Sequence, residues 1–216
     1  MRAAAAGREV PHPPGGRSRR LLAAARQRYA EDRLADAVSA GTRQVLVFGT
    51  ALDTFIAHNP YRDVRVIRVT EREGGIVRRS GDSAPGDPAA ARQIAEFVRF
   101  APGFEPGDPV FAIRLDDPYR RDSGHAAADT DPGSGPACPE TTATVLRLLA
   151  GCPGGAEIVL EVPRAGVTGV ARAVRDTGWV VQEDLSADTL ASRYLEVSAG
   201  QDYSVEPRIV RARVAH

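Results

Sequence analysis

Apolar and polar positions along the chain fall into a repeating alternation of helical and extended patterns. From Ser18 to Ala40 the apolar residues Leu21, Leu22, Ala25, Tyr29, Leu34, Ala37 and Val38 recur near helical spacing, with Arg, Glu and Asp on the other face, which predicts one amphipathic helix. Gly41 ends it, and the run Gln44 to Phe48, QVLVF, apolar after its first residue, follows as a strand of the kind buried inside a parallel sheet. A short helix then ends near Asn59-Pro60. Asp63 to Glu71 alternates and is rich in β-branched residues, a second strand, and a brief strand is expected around Ile76-Val77. Further helices are predicted over Pro88 to Phe100, Glu140 to Ala150, Val167 to Thr177 and Ala187 to Arg193. Further strands are predicted over Pro109 to Leu115, Ala156 to Val162, WVVQEDL from Trp179, and PRIVRARV at the end.

Strands and helices alternating in this way imply an α/β fold: a doubly wound, mainly parallel sheet with helices on both faces, its last strand a candidate for antiparallel pairing. Two stretches fall outside the pattern. Residues 1–17 and about 116–139 are rich in Gly, Pro and small or polar residues, so a disordered tail and a flexible loop are expected around one domain spanning 18–216.

Composition narrows the classes. At 216 residues, 43% hydrophobic and 26% charged, the chain suits one globular domain. No apolar run approaches the roughly 20 residues of a membrane helix. The 28 basic residues balance 28 acidic ones, so no large field draws nucleic acid or an anionic membrane surface. Every basic residue is Arg, which we read as codon bias of a GC-rich, bacterial genome. Cys138 and Cys152 lack CxxC or Cys/His spacing and read as small thiols, not as a metal site or redox pair. The basic first residues have no apolar core of the length an export signal needs, so a cytoplasmic location is expected.

In a parallel sheet the ligand site lies beyond the carboxyl ends of the strands, and the turn at Gly49 after the first strand is the default position. A single glycine there is weak evidence, because any tight strand-to-helix turn favours one. Four stretches carry more. ARQRYAEDRLADAVSAGTRQVLVFGTALDTF, GFEPGDPVFAIRL, TVLRLLAGCPGGAEIVLEV, and VARAVRDTGWVVQEDLSADTLASRYLE with RIVRARV together resemble, in order and over more than half of the chain, the leucine carboxyl methyltransferase-like family of class I S-adenosylmethionine (SAM)-dependent methyltransferases.

The resemblance implies a reduced class I methyltransferase, a Rossmann-like sheet with SAM over the Gly49 turn. It implies cofactor contacts at Arg26, matching the arginine that holds the SAM carboxylate, and at Gly49, Thr50 and Asp53, which fall in the family's GAGLDT phrase. Asp53 either accepts a hydrogen bond from the ligand or caps the helix it opens. The activity implied is O-methylation of a natural-product carboxyl or hydroxyl group.

The departures from the family cluster at the same place. Ala51 replaces the second glycine of GAG. The acidic phrase VFEVD after the second strand becomes Val66-Ile67-Arg68-Val69-Thr70, leaving Glu71, one position late, as the acidic candidate for the ribose. A missing charge-assisted acceptor costs about 1.5–3 kcal/mol, so SAM binding is expected to be weakened or lost. Arg114 and Asp116 stand where the family has Trp and Gly, and much of its lid is absent. The alternative is therefore a non-methylating homologue, serving as a partner subunit or as a binding or cyclising protein in biosynthesis. The partner is then a small molecule or a biosynthetic protein, and a homo-oligomer is compatible with both readings. His58 and His125 are candidate general bases, but each reads more simply as a solvated loop histidine, and the sequence identifies no catalytic residue.

Overall fold

The computed structural model describes residues 16–49, 52–69, 96, 98–99, 101–115, 139–162, 167–195, 203 and 207–215. Within them the chain forms helix α1 (Gly16–Ser39), strand β1 (Gln44–Phe48), helix α2 (Asp53–Ala57), β2 (Arg65–Val69), β3 (Val110–Arg114), α3 (Pro139–Ala150), β4 (Ala156–Val162), α4 (Val167–Asp176), β5 (Trp179–Leu185), α5 (Ala187–Tyr194) and β6 (Arg208–Val214). The long first helix is unbroken and begins two residues ahead of its expected start. The expected strand near Ile76-Val77, most of the expected helix over 88–100, the tail and the 116–139 loop lie outside the described residues, apart from the α1 and α3 termini and helical Glu96, Val98 and Arg99.

The strands make one six-stranded mixed sheet in the order β2-β1-β3-β4-β6-β5. β2, β1, β3 and β4 run parallel, while β6 lies antiparallel between β4 and β5. β1 and β3 are buried at every position, which explains why they are apolar but for Gln44 at the start of one and Arg114 at the end of the other. Alternate residues face opposite layers. Leu46, Ala112, Ile158 and Leu160 pack with Val145, Leu146 and Leu149 of α3 and with Val170 and Val174 of α4. Val45, Val47, Phe111, Ile113 and Val159 pack with Leu22, Tyr29 and Leu34 of α1 and with Leu190 of α5. Helices thus cover both faces. The described residues contain no helix long and apolar enough to cross a membrane.

The amino end of the sheet is closed by a clamp. Gln44, 1% exposed, donates from Nε2 to the carbonyls of Glu105 (2.6 Å) and Asp108 (3.0 Å) and accepts from the Glu105 N–H (3.1 Å), so its buried amide is satisfied. Gly154 N–H then donates to the Pro106 carbonyl (3.2 Å), and a side chain at Gly154 would collide with the backbone of Gly107 and Asp108. Gly154→Ala should therefore cost about 1–3 kcal/mol, read as a lower urea midpoint with an unchanged slope.

Half-buried charges tie the last strands to α1. Arg211 of β6 donates to Glu157 of β4 (2.6 Å) and to Glu183 of β5 (3.3 Å), and Glu183 also accepts from Arg33 of α1 and Arg193 of α5, each at 3.4 Å. Burial alone would raise the Glu183 carboxyl. The hydrogen bonds from Arg211 and Arg193, with the charges of Arg33 and Arg211, outweigh it and hold the group below the usual carboxylate range. Burial, with the nearby Glu183, pushes the Tyr29 hydroxyl well above its ordinary value.

A depressed folded-state value means the Glu183 contribution is fully present above the unfolded value and is lost as pH falls through the folded one. Glu183→Gln should cost about 1–2 kcal/mol at pH 7. In urea titrations the gap between wild type and variant should narrow below about pH 4.5, the ordinary value for the group.

Candidate functional site

A sheet buried on both faces accommodates few polar groups. Among the described residues those that are buried and polar or charged are Arg26, Gln44, Arg114, Thr142 and Glu161. Gln44 belongs to the amino-end clamp. Arg114 is the last residue of β3 and Glu161 the last but one of β4, so both sit at the carboxyl ends of parallel strands. Register places Arg114 beside Phe48 of β1 and Leu160 of β4. Arg26 of α1 reaches Glu161, Nη1 to Oε1 3.7 Å, with side chains only 7% and 4% exposed.

The carboxyl ends are also where the strand order reverses. From β1 the chain passes to β2 on one side and then to β3 on the other, which is where α/β sheets bind ligands. The turn after β1 starts in a left-handed conformation. Gly49 has φ +85°, a left-handed conformation that favours glycine, and its N–H donates to the Val69 carbonyl of β2 (3.0 Å). Among the described residues a Cβ there would meet the Leu115 carbonyl oxygen at 3.9 Å, an ordinary contact, so among them conformation and not space favours glycine. Leu52 follows with φ +66° and takes the cap position of α2 without a side-chain hydrogen bond.

Asp53 is thus the first residue of α2 and does not cap it. Its carboxylate instead accepts from Arg68 of β2, Nη2 to Oδ1 2.5 Å, in a pair 59% and 32% exposed. Asp53, Gly49 and Arg68 therefore come together at the ends of β1 and β2, while Arg26 meets Glu161 at the end of β4. Thr50 and Glu71 lie outside the described residues, as do Ala51, Thr70, Asp116 and His125. His58 is exposed at the end of α2, its Nδ1 3.1 Å from the Thr54 carbonyl oxygen. Buried Cys152 follows α3, and burial raises its thiol pKa.

Two features escaped the sequence reading. Glu161 is a carboxylate inside the apolar run AEIVLEV, and that interruption near a strand end was its available signal. The Arg68–Asp53 pair joins residues 15 apart in sequence and carries no local pattern. An open groove of about 540 Å³ between α3 and α4, lined by Ala143, Arg147, Gly151, Arg172, Ala173 and Asp176 among others, includes none of the carboxyl-end residues.

Breaking a buried ion pair strands a charge in a poorly solvated place. Glu161→Gln should cost on the order of 3 kcal/mol in urea unfolding, while the double variant Arg26→Met/Glu161→Leu should recover most of that loss. No protein-family model matches this chain, and no curated protein sequence does either.

Proposed function

We propose that the region at the carboxyl ends of β1, β3 and β4 takes the zwitterionic amino-acid end of S-adenosylmethionine, and that the protein is a SAM-dependent O-methyltransferase-like protein of the leucine carboxyl methyltransferase-like lineage, on a reduced, doubly wound Rossmann-like sheet. The observation that carries this reading is the Arg26–Glu161 pair. Its 3.7 Å separation exceeds the 2.7–2.9 Å of a charge-assisted hydrogen bond, so the two charges attract without clasping. A buried carboxylate and a buried guanidinium side by side complement an α-ammonium and an α-carboxylate, and the planar fork of Arg26 suits two carboxylate oxygens. The left-handed Gly49 turn at the strand-order reversal supports the same placement.

In methyl transfer an acceptor oxygen forms a bond to the methyl carbon as the carbon–sulfur bond breaks, leaving S-adenosylhomocysteine and releasing the acceptor proton. Most of the acceleration comes from holding the two reactants in line in a place that excludes water. The contribution assigned to this chain is the first half of that task, holding the donor: Arg26 and Glu161 fix its amino-acid end.

A second reading, a non-methylating homologue that binds a small molecule or a biosynthetic partner protein, is favoured by Arg68. Its guanidinium stands near the end of β2, where an acceptor for sugar hydroxyls is needed, and engages Asp53. Calorimetric titration separates the two readings from a failure of both. SAM and S-adenosylhomocysteine should bind with Kd below about 1 mM, and Arg26→Ala should weaken both by roughly ten- to a hundredfold. Binding without S-adenosylhomocysteine production from any carboxyl or hydroxyl acceptor favours the second reading. Absence of binding heat for both ligands contradicts the SAM site.

A further inference from the structure

The two ion pairs at the carboxyl ends differ in kind. Arg26–Glu161 is buried and loosely spaced, whereas Arg68–Asp53 is partly exposed and tight. Arg68 lies on β2 opposite Val47 in the register, while its neighbours Ile67 and Val69 pack into the layer holding α3 and α4. Its side chain therefore leaves the sheet on the other face, where α2 begins, and meets the first carboxylate after the Gly49 turn. The position is 19 residues beyond Gly49. In dinucleotide-binding sheets an acidic residue about 20 residues past the glycine turn accepts from the sugar hydroxyls.

A guanidinium only donates and offers a hydroxyl no acceptor. By engaging Asp53 Oδ1 it also neutralises the nearby carboxylate and takes up one of its two oxygens, so that a hydroxyl must compete for it. We propose that Arg68 is a specificity-determining residue of this site: it withdraws Asp53 from a nucleoside's sugar hydroxyls, so the site discriminates against the nucleoside half of its ligand while leaving the amino-acid half unaffected. The inference rests on the amino-acid reading of the Arg26–Glu161 pair and adds to it the cause of weak nucleoside recognition. Because the Arg68–Asp53 pair is exposed, a ligand can open it at small cost, so the effect is a graded discrimination and not a block.

Calorimetry with L-methionine and S-adenosylhomocysteine tests this on wild type, Arg68→Leu and Arg68→Leu/Asp53→Asn. Arg68→Leu should bind S-adenosylhomocysteine two- to fivefold more tightly than wild type, the double variant should lose that gain, and L-methionine should bind all three alike. Urea midpoints within error of wild type confirm that the comparison is between folded proteins. Equal S-adenosylhomocysteine affinity in all three proteins overturns the role of Arg68 and leaves the SAM reading standing. A gain that survives Asp53→Asn overturns it too. If neither ligand binds any of the three, both the role of Arg68 and the SAM reading fall.

Discussion

Burial of the central strands on both faces is the constraint from which the rest of this structure follows. β1 and β3 have no residue facing water, so each must be apolar, and each must find its hydrogen bonds within the sheet. In these two strands the polar residues stand at the ends, Gln44 at the start of β1 and Arg114 at the end of β3. At the amino end the Gln44 amide is satisfied by the 105–108 turn, and the layer is sealed. At the carboxyl end the charges of Arg114, Glu161 and Arg26 are buried instead. Charge withdrawn from water is expensive, and an ion pair in such a place adds little stability on its own account. The two ends thus differ in kind, an amide at one and buried charges at the other, and the proposed ligand site lies at the charged end.

The fold was legible wherever local pattern and tertiary burial agree. QVLVF and VFAIR read as buried strands because, apart from the terminal Gln44 and Arg114, they are apolar, and both are buried throughout. WVVQEDL reads as a strand by β-branching and is one, although Val180 and Val181 stay 49% and 47% exposed at the sheet's edge. The position of β6 between β4 and β5 was not legible, because strand order is set by which edges meet in space and not by periodicity. The sequence pattern makes this last strand a candidate for antiparallel pairing, and it pairs antiparallel on both sides.

The candidate site was legible in part. Gly49 stood out through the strand-turn-helix pattern, and its left-handed φ supplies the physical reason for glycine. Arg26 was singled out by resemblance alone, since on an Arg-rich helix nothing local separates it from Arg28 or Arg33. Burial separates them: Arg26 is 6% exposed, whereas Arg28 pairs with Glu31 and Asp32 in solvent. Asp53 left two roles open, and the cap role fell to Leu52 because the chain enters α2 through a left-handed residue. Arg68 was legible as a departure from an acidic phrase, but its pairing with Asp53 needed the strand register.

These pairs place opposite demands on one ligand. On the proposed reading, Arg26 and Glu161 favour a zwitterion, and Arg68 works against a sugar beside it. The most direct measurement of the central claim is a crystal structure of the protein soaked with S-adenosylhomocysteine. The account predicts the amino-acid end between Arg26 and Glu161, its carboxylate on the guanidinium and its ammonium on the carboxylate. Density for the ligand elsewhere, with the Arg26–Glu161 pair undisturbed, would contradict it.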